Sequence, residues 1–101
     1  MFNGGNMQQM MKQAQKLQKQ MEENKKNLDS QVFVGKSTQD YVKVTVSGDK
    51  IVKAIEIAEA LVDPDDVETL QDLVVDAVND AMKQINQASE KSLGQFGKGL
   101  F

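Results

Sequence analysis

The hydrophobic period of this chain changes twice, and those two changes confine it to one order of elements. From Met7 to Leu28 apolar residues return at helical spacing, at Met7, Met10, Met11, Ala14, Leu17, Met21 and Leu28, with Asn24 as the one polar interruption. From Asp40 to Ser47 the period falls to two, with Val42, Val44 and Val46 alternating against Tyr41, Lys43 and Thr45. After Pro64 the helical period returns through Val67, Leu70, Val74, Ala77, Val78, Ala81, Ile85 and Ala88. A side-chain face repeats every 3.6 residues on a helix and every two on a strand. A segment written in one period therefore does not settle in the other.

The joints between these segments read as follows. Gln31–Lys36 is a short strand, and Lys50–Ala58 a third strand with Ile51, Ile55 and Ile57 on one side and Val52, Ala54 and Ala58 on the other. Ser47-Gly48-Asp49-Lys50 makes a tight hairpin turn in which Gly48 supplies positive φ. Asp63 is placed to cap the last helix, with Pro64 at its first position and Asp65 and Asp66 complementing the positive end of its dipole. That helix extends to about Leu93, with Asp65, Glu68, Asp72, Asp76, Asp80 and Lys83 on its solvated face. The expected fold is α+β: a long N-terminal helix, a three-stranded antiparallel meander and a long C-terminal helix. It forms one domain over residues 1–101, with 1–6 a flexible start and 94–101 a loose glycine-rich tail.

Composition enters by what it excludes. The chain has no cysteine and no histidine, which removes disulfides, thiol nucleophiles, the usual zinc sites and imidazole acid–base chemistry. An enzyme would have to work with Lys, Tyr, Asp or Glu alone, and no such constellation stands out. The expectation is a protein that binds rather than catalyses, with no cofactor, no metal and no small-molecule substrate. Asp63, Asp65 and Asp66 lack the glycine and distal glutamate of a calcium loop, and capping explains them better. Asn79 and Asp80 are read as structural hydrogen-bonding residues, and Tyr41 as a packing residue. No apolar run is long enough to span a bilayer, and Met1–Asn6 lacks the charged and hydrophobic regions of a secretion signal. A cytoplasmic protein with no membrane partner is expected.

Charge is divided along the chain. Residues 1–53 hold nine lysines against five acidic residues, whereas 54–101 hold three against ten. Lys12, Lys16, Lys19 and Lys26 project nearly opposite the methionine stripe of the first helix, where they suit neutralisation of DNA phosphates. The plainer account is a solvated face, and Glu22 and Glu23 interrupt its positive field. Every basic residue is lysine, so no arginine fork is present to read guanine edges. The strands alternate less strictly than a sheet solvated on one side should, which points to a second copy covering a face or extending an edge. The other arrangement has both helices sandwiching the sheet within one chain.

Four segments together carry a family resemblance. The opening Met1-Phe2-x-Gly4-Gly5 with Met10–Gln18, the strand Val42–Gly48, the segment Val52–Leu61 and the helix Leu70–Ala81 resemble, in this order, the YbaB/EbfC family of bacterial nucleoid-associated proteins. The resemblance covers nearly the whole chain. It implies a homodimer with protruding helices that binds duplex DNA with little sequence preference and organises chromosomal DNA in the nucleoid. This chain departs from the family in having Ser37-Thr38-Gln39-Asp40 where small glycine-type residues are usual, a single proline, Pro64, and no arginine. The alternative function is a protein–protein adaptor that uses its amphipathic helices as a docking surface.

Overall fold

The computed structural model describes the backbone over residues 4–100 and the side chains over 7–93. The order is helix α1 (Gly4–Ser30), strands β1 (Val32–Lys36), β2 (Val42–Ser47) and β3 (Val52–Ile57), and helix α2 (Val67–Leu100). The strands form an antiparallel meander in the order β1-β2-β3. This is the expected fold. Both helices outrun their expected ends. Helix α1 already begins within the stretch read as a flexible start, and residues 1–3 of that stretch lie outside the described ones. In the stretch 94–101, read as a loose tail, the backbone of 94–100 continues as helix, and residue 101 lies outside the described ones. Glycine disfavours an established helix by only about 1 kcal/mol relative to alanine, because propagation, unlike nucleation, gains a hydrogen bond for each residue fixed.

The core lies where α2 crosses β1 and β2. Val42, Val44 and Val46 point from the sheet into Ala77, Ala81 and Ile85, and these six are at most 1% exposed. The three α2 residues recur every fourth position and so lie in one row along the helix. Two of them are alanines facing Gly35, where a Cβ would stand 2.1 Å from the Ala77 carbonyl oxygen and 2.5 Å from the Ala81 nitrogen. With no side chain on β1 and only methyls on α2, the two backbones come into direct contact. Phe33, Leu73, Val74, Val78 and Met82 close the margins of this core.

Three local readings are corrected. The cap of α2 is Asp66, whose carboxylate accepts from the Thr69 amide at 3.3 Å and the Thr69 hydroxyl at 2.7 Å. Asp63 instead organises the preceding turn, accepting the Asp65 amide at its side chain (2.9 Å) and the Asp66 amide at its carbonyl (3.0 Å). Proline suits that turn as well as it suits a first helical position, so Asp-Pro alone does not locate the helix start. In the β2–β3 hairpin the left-handed residue is Lys50 (φ 67°) and not Gly48. Gly48 is required sterically, because a Cβ there would lie 1.7 Å from the Leu28 carbonyl oxygen at the end of α1. The faces of the third strand also divide differently. Val46 pairs with Val52 but Thr45 with Ala54, so one extra residue in β3 turns Val52 onto the side of Ile55 and Ile57.

The helices do not sandwich the sheet. Among the described residues only α2 covers it, while α1 meets the rest of the chain towards its C-terminal end, where Gly48 packs on the Leu28 carbonyl. The molecule consequently extends 77 × 22 × 15 Å, with a radius of gyration of 20.9 Å. A compact chain of this length would have a radius near 13 Å.

Candidate nucleic-acid interface

At a rise of 1.5 Å per residue, the 27 residues of α1 make a rod about 40 Å long. Its residues favour helix, and nothing between Met7 and Ser30 interrupts it. Lys12, Lys16, Lys19 and Lys26 are all exposed. With about 100° of turn per residue they fall within an arc of about 80°, and they span about 21 Å along the axis. The structure thus brings the four sequence-selected lysines onto one solvent-facing strip, on the helix that stands furthest from the core. Glu22 and Glu23 are exposed on the same helix, and Glu22 precedes Lys26 by four residues, the favourable direction for a local pair.

Opposite the strip, Met7, Met10 and Met11 are each about 60% exposed. They form an apolar face that no described residue covers. Further along, Met21 and Leu28 of α1 face Ile85 and Leu93 of α2 across a cleft of about 430 Å³. Lys25 and Lys50 line the same cleft, and sequence reasoning selected neither. Lys25 lies outside the lysine arc, and Lys50 reaches the cleft only because the hairpin turn packs on the end of α1. No local sequence signal reports that contact.

The sheet has one shut edge and one open one. On the outer edge of β1, Asp80 Oδ2 accepts the Lys36 amide at 2.9 Å, and Gln84 Nε2 donates to the Val34 carbonyl at 2.9 Å. Asp80, read as part of the solvated face of α2, is a partly buried structural acceptor, in keeping with its reading as a hydrogen-bonding residue. Strand β3 is paired on one side only. Its core-side residues Val52, Ile55 and Ile57 are 46%, 48% and 40% exposed, because α2 does not reach over them. Among the described residues there is no cluster of carboxylates able to hold a metal ion, and no helix long and apolar enough to cross a membrane.

Residues 3–100 match the YbaB/EbfC DNA-binding family. A nucleoid-associated protein of Lactococcus lactis is 56% identical over 95 residues, covering 94% of this chain and 96% of that one. A nucleoid-associated protein of Streptococcus thermophilus is 59% identical over the same shares, and one of Lactobacillus acidophilus is 55% identical over 98% of this chain and 89% of its own. Among solved structures, an uncharacterised protein of Helicobacter pylori superposes with a TM-score of 0.65 at 22% identity, over 95% of this chain and 98% of that one.

Proposed function

Because this chain belongs to the YbaB/EbfC DNA-binding family, we propose that it is a nucleoid-associated protein that binds duplex DNA as a homodimer, through backbone phosphates and with little sequence preference. The observation that carries this reading is the exposed strip Lys12, Lys16, Lys19 and Lys26 on a helix standing clear of the core. Lysine is a point charge on a flexible stem. It suits phosphate oxygens at variable positions and lacks the rigid fork that reads base edges. The acidic surplus lies after residue 53, so the net charge of −3 does not describe the surface that α1 presents.

The dimer is supported by the core itself. Six side chains are fully buried among the described residues, while Val52, Ile55 and Ile57 stand half-exposed beside an unpaired strand edge. A second copy joined along β3 would satisfy the strand's free amides and carbonyls and bury those three residues together. It would also give the assembly two lysine-bearing arms. The cellular setting that follows is the bacterial nucleoid, within the cytoplasm.

A salt titration of duplex DNA binding tests the reading. Each phosphate contact adds about −0.9 to the slope of log affinity against log salt, so two arms of four lysines set a limit of about −7. Replacing Lys12, Lys16 and Lys19 by Glu should weaken binding to unrelated sequences equally and flatten the slope. Unchanged affinity at low salt would remove α1 from the interface. Partner binding that is insensitive to salt, with no DNA binding, would favour the adaptor reading and its exposed methionine face.

A further inference from the structure

We propose that Asp80 and Gln84 act as a lock on the β1 edge, so that assembly through the sheet stops at a closed pair instead of growing strand by strand. The proposal rests on the dimer reading above and adds to it a reason for closure. A three-stranded sheet with both edges free can add the β3 of one copy to the β1 of the next, a head-to-tail contact that has no natural end. If only β3 is open, two copies can meet through like edges and no third can join.

The chemistry of the lock is specific. An incoming strand would need the outward Lys36 amide and the outward Val34 carbonyl. Asp80 offers the amide an acceptor at 2.9 Å, and Gln84 offers the carbonyl a donor at 2.9 Å. A carboxylate only accepts and a side-chain amide can donate, so each fits the group it meets. The two lie four residues apart, one turn of α2, and Gln84 Nε2 also donates to Asp80 Oδ2 at 3.2 Å, which ties them into one unit. An apolar helix face over this edge would leave both backbone groups unpaired. The close approach of α2 at Gly35 places the helix near enough for these short bonds.

The test compares the full-length protein with Asp80→Ala/Gln84→Ala by sedimentation velocity over a wide concentration range. The wild type should keep one mass, and the double variant should form species whose mass grows with concentration. Asp80→Asn, which retains a carbonyl acceptor, should behave as wild type. Amide exchange at Lys36 in the wild type provides a reading that does not depend on any variant folding. The amide should be protected in the wild type, and in Asp80→Ala it should exchange roughly tenfold faster or more. A natively folded double variant with the wild-type mass at every concentration would overturn the proposal, as would an unprotected Lys36 amide in the wild type. A monomeric wild type would refute the dimer reading alone, since a double variant that then associates would still show the β1 edge to have been shut.

Discussion

At the scale of single residues, Gly35 and Gly48 carry more of the architecture than their size suggests. Each sits where another backbone occupies the space of a side chain, Ala77 and Ala81 against the first and Leu28 against the second. Gly35→Ala should destabilise the fold by about 3 kcal/mol or more, since neither partner is a flexible side chain that can yield. Denaturant melts followed by circular dichroism would measure it. Lys50 presents the opposite case. It holds φ at 67° in the hairpin turn, a conformation that costs a non-glycine residue about 1 kcal/mol. Part of that relief is offset by the greater freedom of glycine in the unfolded chain, so Lys50→Gly should be neutral or stabilising by up to about 1 kcal/mol. A loss of stability in the same melt would contradict the assigned turn. Both positions sit within one recognisable turn or strand. The sequence marks the glycines, but their neighbours come from 20 to 46 residues away, which local pattern does not reveal.

At the scale of elements, the strands were legible because β2 is buried on one face and alternates accordingly, while helix ends and strand faces were not. Asp63 and Asp66 are chemically identical candidates for the α2 cap, three residues apart, and only the hydrogen bonds to Thr69 separate them. Asp66→Ala should therefore cost about 1 kcal/mol, and Asp63→Ala clearly less, in the same melting experiment. Similar costs for both would mean that the turn and the cap act as one unit. The faces of β3 were misread because one extra residue shifts every side chain beyond it, and a bulge leaves no mark in a pattern of Ile, Val and Ala. Helix α1 poses a different question, since an isolated helix of its length is marginal in water. Amides of Met7–Leu17 should exchange much faster than those of Ala77–Ile85, and added duplex DNA should slow them. Hydrogen exchange read residue by residue would check both expectations.

At the scale of the whole molecule, shape and assembly determine what the lysine strip can do. A second copy on β3 would double the lysine arms, so Ile55→Lys should break the assembly and weaken DNA binding together. Light scattering should then report a single chain, and affinity should fall by about tenfold or more through lost avidity, with a shallower salt slope. Halved mass with unchanged affinity would show that one arm suffices. The sequence by itself determined the order helix, meander, helix, and it placed Lys12, Lys16, Lys19 and Lys26 on one strip of α1. It could do so because side-chain period and helical phase are properties of neighbouring residues. Tertiary structure alone decided that α1 stands off the sheet, that Asp80 and Gln84 shut one strand edge, and that β3 is left open with Ile55 and Ile57 half-exposed. The two edge outcomes depend on how closely α2 approaches Gly35 and how far it reaches across the strands, and that distance is set by packing between residues far apart in the chain.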